Sequence, residues 1–132
     1  MKVLLTLYGE ETASEFSPEQ IEQSMSAWQE FGEAAAAAGV LLACEGLAES
    51  HAATTVRYAG GKRHVTDGPF IETKEQLGGF VFLEVRDLDE ALEWADRLPW
   101  TTDGCSTEIR PIMDYDAFAA GAESATGQRA ES

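Results

Sequence analysis

Positively charged residues are scarce in this 132-residue chain, where nine Lys and Arg stand against 24 Asp and Glu and the formal net charge is −15. Proteins that bind nucleic acids draw most of their affinity from Lys and Arg side chains that neutralise phosphates. A surface with this excess of carboxylates repels a phosphate backbone instead. The composition therefore excludes nucleic acid as the expected partner.

Long apolar runs are also absent, since none approaches the ~18 residues that a membrane-spanning helix requires. The N-terminal apolar stretch ends at Gly9, without the longer core and small-residue cleavage site of a secretory signal peptide. We therefore expect neither membrane insertion nor export. With only Cys44 and Cys105 in the chain, we expect the reduced environment of the cytoplasm.

Local motifs for common catalytic and metal sites are missing. The chain contains no GxSxG, GxGxxG or GxxxxGK motif. His51 and His64 have no HxH or HxxxH spacing, and no cysteine pair accompanies them. Cys44 and Cys105 are predicted on strands at opposite edges of a sheet, too far apart for a disulfide. The sequence thus predicts no metal and no cofactor.

The chain does contain short strand-like and helical segments in a clear order. A first helix is predicted after Ser17, because a capping serine, Pro18 at the first helical position and Gln20 together make a capping box. A second helix is predicted after Asp87, with Glu90 at the capping-box position. The predicted strands are 3–8, 40–47, 54–59, 62–66, 80–85 and 107–113.

With the hairpin over 54–66 set aside, the order is strand, helix, strand, strand, helix, strand. This is the split βαβ pattern of a ferredoxin-like α+β domain, which we predict over residues 1–115. Residues 116–132 are rich in Ala, Gly, Ser and Glu without periodicity and are predicted to be a disordered tail. Strands 3–8 and 80–85 are apolar on both faces, whereas the helices cover one. We therefore predict a homodimer whose sheets face each other in an α+β barrel.

Five segments follow one another in a distinctive order: CEGL at 44–47, ATTVR at 53–57, VTDGPFIETKEQLGGF at 65–80, DLDEALEWA at 87–95 and EIRPIM at 108–113. Together they resemble the YCII-related family, specifically its DGPF-domain branch. The resemblance implies a dimeric α+β barrel over about residues 1–115. It implies little about activity, because the branch is largely of unknown function. It also implies a regulatory association, because members are often encoded beside extracytoplasmic-function sigma factors. A few members of the wider family are lyases or dehalogenating enzymes that use a histidine paired with an aspartate. In this chain the first histidine is His51, which lies in a predicted loop, so this pair has no evident counterpart.

The DGPF segment is the leading candidate for a site. We predict a loop, shaped by Gly68, Pro69 and the pair Gly78–Gly79, that carries Asp67 and Lys74 to a cleft. Asp67 is a candidate acid/base group or polar anchor; the alternative is an Asx-type turn that bonds nearby backbone amides. Phe70 is interpreted either as a core plug under the loop or as a stacking platform for a ligand.

Two arginines fall within predicted strands, where an unpaired cation is costly. Arg57 and Arg110 have two interpretations: ion pairs with the strand residues Glu45 and Glu108, or a clamp for an anionic small molecule, to which Lys74 contributes. We therefore predict a small-molecule-binding protein, catalytic or not, that takes a small anionic substrate between sheet and DGPF loop. The alternative is a non-catalytic regulatory or interaction protein associated with a sigma-factor system.

Overall fold

The computed structural model describes residues 1–12 and 15–124. Four strands form one antiparallel sheet in the order β2-β5-β1-β6, and β3 and β4 form a separate hairpin. With that hairpin set aside, the fold is the ferredoxin-like α+β fold predicted from the order of elements. The elements are β1 (Lys2–Glu10), α1 (Pro18–Ala37), β2 (Leu41–Gly46), β3 (Thr54–Ala59), β4 (Lys62–Asp67), β5 (Glu75–Glu84), α2 (Leu88–Ala95), β6 (Ser106–Pro111) and α3 (Tyr115–Ser124).

Helix α1 begins where the capping box predicts. The Ser17 hydroxyl accepts a hydrogen bond from the Gln20 amide at 3.1 Å, and the Gln20 side chain accepts one from the Ser17 amide at 2.8 Å. Two backbone donors at the open end of the helix are thereby satisfied. The helix ends just before Gly39, whose φ of 77° is the left-handed conformation that glycine adopts without strain.

Helix α2 begins with a variation on the predicted cap. The Asp87 carboxylate accepts a hydrogen bond from the Glu90 amide at 2.9 Å, as predicted. The Glu90 carboxylate reaches the amide of Arg86 at 2.7 Å, one residue earlier than a capping box requires. Of the helices that the structure describes, none has both the length and the apolarity to cross a membrane.

The hydrophobic core lies between one face of the sheet and the two helices α1 and α2. Alternate residues of the two central strands point into it, and Leu5, Val81 and Leu83 are completely buried. The Phe31 ring packs edge-on against Trp28 and Trp94, with both pairs of ring centroids 6.0 Å apart. These contacts fix α1 against α2 over the sheet.

The opposite face of the sheet, which we call the open face, lacks this helical cover. Leu4 pairs with Phe82 and Thr6 with Phe80, so their side chains point away from the core. Leu4, Phe80 and Phe82 are only half-buried. The prediction that the central strands are apolar on both faces is confirmed. The homodimer inferred from it stays a prediction.

Helix α3 was not predicted from the sequence. Its alanines favour a helix, and Asp114 supplies a cap, accepting a hydrogen bond from the Ala117 amide at 3.0 Å. Tyr115 and Phe118 are 72% and 53% exposed, so these aromatic side chains do not dock into the core. Residues 125–132, the remainder of the predicted tail, lie outside the described residues.

Candidate functional site

The DGPF segment is divided between two strands and a connection. Asp67 ends β4, residues 68–74 connect, and Glu75 begins β5. Gly68, at a φ of 106°, does form a turn that only glycine makes easily. The prediction that Gly78 and Gly79 shape a loop is wrong, because both lie inside β5.

Close approaches explain why Gly78 and Gly79 are glycines. Leu7 pairs with Gly79 and Tyr8 with Leu77, so Gly78 is the extra residue of a β-bulge. A Cβ atom on Gly79 would lie 2.8 Å from the carbonyl oxygen of Glu45, closer than such atoms approach. Both glycines therefore serve the sheet itself, one in its bulge and one where the β2 backbone passes close.

Trp100 is fixed above this end of the sheet. Its indole N–H donates to the carbonyl oxygens of Tyr8 at 3.0 Å and Ser106 at 3.2 Å. A Cβ on Gly9 would lie 2.9 Å from the indole, and one on Gly78 would lie 3.5 Å from it. The missing side chains of these glycines make room for the ring, which becomes a rigid wall.

An inner cavity of about 470 Å³ lies beside this wall, between α1 and the sheet. Its lining is mainly apolar, and the charged residue among those that line it is Glu45. Because strand residues alternate, the Glu45 side chain lies on the open face while its backbone borders the cavity. The side chains and glycines that define its shape are Leu7, Trp28, Gly32, Cys44, Gly79 and Trp100.

An outer cavity of about 630 Å³ adjoins the inner one, and Trp28, Gly78 and Trp100 line both. Among the described residues, no Lys or Arg lines either cavity. The charged residues that line the outer cavity are therefore all acidic. Its acidic residues are Glu10, Glu11, Glu49 and Asp103.

Two of these carboxylates are engaged in local contacts. Glu11 accepts hydrogen bonds of 2.5 Å from both the amide and the hydroxyl of Ser50, and these bonds hold its pKa below the usual range. Glu10 forms a 3.1 Å ion pair with Lys74. The Lys74 ammonium is thus directed to a carboxylate at the cavity edge.

Cys44 is the thiol of the inner cavity. Burial raises its pKa, and the negative charge of Glu45 adds to the effect, so the thiol stays protonated at neutral pH. Cys105 lines the outer cavity, and both cysteines are free. Cys44 lies on β2 and Cys105 directly precedes β6, the two edges of the sheet predicted for them.

Arg57 and Phe70 are brought together outside both cavities. The guanidinium lies 4.8 Å from the centroid of the Phe70 ring and donates a 3.0 Å hydrogen bond to the Phe70 carbonyl. Phe70 is 62% exposed, so the core-plug interpretation is wrong. Its ring is instead a platform for Arg57.

Asp67 pairs with Thr54 at the base of the hairpin. Within residues 1–12 and 15–124 its carboxylate makes no hydrogen bond, so the Asx-type interpretation gains no support. The turn is held by other groups: the Gly68 amide donates to the Ala53 carbonyl, and the Thr55 hydroxyl donates to the Gly68 carbonyl, both at 2.7 Å.

The remaining predicted site residues are dispersed. Arg110 forms a 2.9 Å ion pair with Glu108, as the ion-pair interpretation expects. Glu45 lies across the sheet from Phe80 and does not pair with Arg57. The structure does not gather Arg57, Lys74 and Arg110 around one pocket.

Two comparisons with known proteins bear on identity. Residues 1–116 match the model of the YCII-related domain. An uncharacterised protein of Rhizobium meliloti (strain 1021) is 37% identical over 107 residues, which cover 80% of this chain and 86% of that protein. The chain belongs to the YCII-related family. The resemblance is thereby confirmed at the level of the family, and assignment to the DGPF branch stays a prediction.

In this YCII-related chain, sequence reasoning missed the residues that create the cavities. In the sequence, Trp28 and Trp100 look like ordinary core or interface residues, as most tryptophans are. Gly32 looks like one more position on the apolar face of α1. The one sequence signal for the cavity is Gly32 itself, a glycine within an alanine-rich helix. Alanine is favoured over glycine in a helix by ~1 kcal/mol, so a glycine at this position needs another reason.

Proposed function

We propose that this YCII-related protein binds a small molecule in the inner cavity, with the outer cavity as the entrance. The supporting observation is Gly32, in the middle of α1. A Cβ there would meet nothing within 4 Å, so packing does not require glycine. The glycine costs the helix roughly 0.5–1 kcal/mol relative to alanine. That cost is accounted for if the space above it must stay open for a ligand.

The lining indicates the kind of ligand. Trp28 and Trp100 offer indole surfaces to an apolar or aromatic body, and Gln29 and the bordering backbone offer hydrogen bonds. The carboxylates of the outer cavity disfavour an anion at the entrance. We therefore propose a neutral or cationic molecule with an apolar body. The anionic ligand predicted from the sequence depends on Arg57, Lys74 and Arg110, which line neither cavity.

The residues that line the two cavities support binding of a ligand rather than catalysis. A nucleophile requires a neighbouring base or a lowered pKa, and the pKa of Cys44 is raised. Asp67, our candidate acid/base group, lines neither cavity. Its catalytic role stays a prediction.

The experiment is to fill the inner cavity from its helical wall. Gly32→Leu places an isobutyl group where a Cβ meets nothing, and Ala36→Leu adds a comparable group at an exposed position of the same helix. A fragment library is screened against both variants and the wild type by ligand-observed NMR. We expect some fragments to bind wild type and Ala36→Leu but not Gly32→Leu. The melting temperature of Gly32→Leu should be no lower than that of wild type. Binding that survives in folded Gly32→Leu contradicts the pocket.

A second candidate function, protein–protein interaction, is favoured by the open face. Half-buried Leu4, Phe80 and Phe82 present apolar surface there without helical cover. We propose a second copy of the chain as the occupant, with a regulatory partner as the alternative. Light scattering at micromolar concentration should give about twice 14.3 kDa. A stable monomer contradicts the homodimer.

A further inference from the structure

We propose that one face of the β3–β4 hairpin binds an oxyanion that carries two negative charges, the chemistry of a phosphate or sulfate group. This site is separate from the inner and outer cavities, because none of residues 54–67 lines either of them. It also lies on a different sheet from the open face. The inference therefore goes beyond both functions proposed above and depends on neither.

Alternation along the hairpin separates its charged residues. Directly opposed residues share a face, and every second residue of each strand returns to that face. The opposite face carries Arg63 together with Asp67, the only acid of residues 54–67. The first face, which we call the basic face, consists of Thr55, Arg57, Ala59, Lys62, His64 and Thr66. It contains no acid, in a chain with 24 Asp and Glu.

Arg57 is the fixed centre of the basic face. Its guanidinium lies 4.8 Å from the centroid of the Phe70 ring, and its Nη2 donates a 3.0 Å hydrogen bond to the Phe70 carbonyl. The Thr55 hydroxyl donates to the Gly68 carbonyl at 2.7 Å, which holds the connection against the same face. Because the guanidinium is already held in place, it loses less side-chain entropy when its free N–H groups bind an anion.

Two further basic side chains surround this guanidinium. His64 lies directly opposite Arg57 across the hairpin, and Lys62 lies diagonal to it. Directly opposed Cβ atoms are roughly 5 Å apart and diagonal neighbours roughly 7–8 Å, within reach of long side chains. Like charges in such positions repel once the imidazole is protonated. An oxyanion bound between the three groups replaces this repulsion with attraction.

The basic charges of this face are not neutralised within the chain. In residues 1–12 and 15–124, no carboxylate lies within ion-pairing distance of Arg57, Lys62 or His64. This includes Glu72, the acid of the connection, while Lys74 is already ion-paired and is not counted toward the site. The more distant carboxylates of the protein are screened beyond ~8 Å at physiological ionic strength. The three basic groups are thus available to a ligand.

The number of basic groups indicates the charge of the anion. A guanidinium matches two oxygens of an oxyanion with parallel N–H groups. A carboxylate has only these two oxygens and one charge, so it leaves the imidazole and the ammonium without partners. A phosphate or sulfate group has further oxygens and a second charge for His64 and Lys62. We therefore assign the site to this class of anion.

The test is a titration of the full chain with inorganic sulfate at about pH 6, followed by the NMR signals of the two imidazoles. An ordinary histidine is mostly protonated at this pH. Sodium chloride is exchanged for sodium sulfate at constant ionic strength, so that general screening does not change. We expect a saturable shift of the His64 signals in the millimolar range. His51, in the short turn Ser50–Ala52, is the internal control and should not follow this curve.

A matched pair of variants tests the geometry of the face. Lys62→Gln and Arg63→Gln each remove one charge at adjacent exposed positions, but on opposite faces of the hairpin. We expect Lys62→Gln to weaken sulfate binding roughly threefold or more, and Arg63→Gln by less than about twofold. Arg57→Gln should weaken it roughly tenfold or more. Circular dichroism checks its fold, and the first two variants leave the Phe70 contact intact.

Two results would overturn the inference: equal weakening by Lys62→Gln and Arg63→Gln, or equal shifts of both histidines. Acetate should bind roughly tenfold more weakly than sulfate, and acetate that binds as tightly as sulfate overturns the assigned class of anion. Phenyl phosphate identifies the source. Competition with sulfate assigns the site to a phosphate carried by a larger molecule, and sulfate binding without competition assigns it to a free ion.

Discussion

The two halves of the layer between α1 and the sheet are built from the same elements but packed differently. In one half, Leu5, Val81 and Leu83 are fully buried beneath Phe31 and Ala35. In the other, glycines on α1, β2 and β5 line a cavity of about 470 Å³. The backbone topology is continuous through both halves. Side-chain volume therefore decides which half is core and which is a candidate site.

The largest effect should come from the packed half. Leu83→Ala removes a completely buried side chain and should lower the free energy of unfolding by ~2–5 kcal/mol. Leu92→Ala, at a 47% exposed position of α2, is the control and should cost much less. Urea unfolding monitored by circular dichroism measures both. Equal losses would show that the two positions are packed alike.

The next effect concerns the backbone contact at the cavity floor. Gly79→Ala forces a Cβ against the Glu45 carbonyl and should destabilise by ~1–3 kcal/mol. Its cross-strand partner Gly46 is the matched control, because a Cβ there meets nothing within 4 Å. Thermal unfolding of Gly79→Ala and Gly46→Ala compares them directly. A Gly79→Ala protein as stable as Gly46→Ala would mean that β2 can move aside.

The fold was predictable from sequence because its signals are local. The capping box at Ser17 acts within a few residues, and so do Gly60 and Gly61, whose positive φ angles form the turn between β3 and β4. The apolar runs at 3–8 and 80–85, which predict the central strands, likewise lie within single segments. The cavities were not predictable in this way. Gly9 and Gly78 make room for the indole of Trp100, which is distant in sequence from both. The sequence does not distinguish a glycine in a turn from a glycine packed beneath an aromatic ring.

The candidate polar site shows the same limit. The Arg110–Glu108 pair lies within one strand and was among the alternatives considered. Lys74 instead meets Glu10, and Arg57 meets Phe70, because the pairing of β1 with β5 and the turn after β4 decide those neighbours. Residue types alone indicated where charge would lie but not which charges would meet.

A smaller effect, of opposite sign, should come from the helix above the cavity. Gly32→Ala adds a Cβ that meets nothing and should stabilise the protein by ~0.5–1 kcal/mol through higher helix propensity. Gly39→Ala provides the contrast, since at a φ of 77° an alanine is strained and should destabilise. Chemical denaturation measures both. A destabilising Gly32→Ala would show that this half has no free space.

The smallest effect concerns the Cys44 thiol, which reports whether the cavity is enclosed or open. Burial is the main cause of its raised pKa, and the Glu45 charge is the lesser one. In a Cys105→Ser background, iodoacetamide at pH 8 should alkylate native Cys44 more slowly than the urea-unfolded chain, because less thiolate is present. Glu45→Gln should accelerate the reaction only slightly, since burial remains. If Glu45→Gln restores the unfolded rate, charge rather than burial controls the thiol, and the inner cavity is open to water.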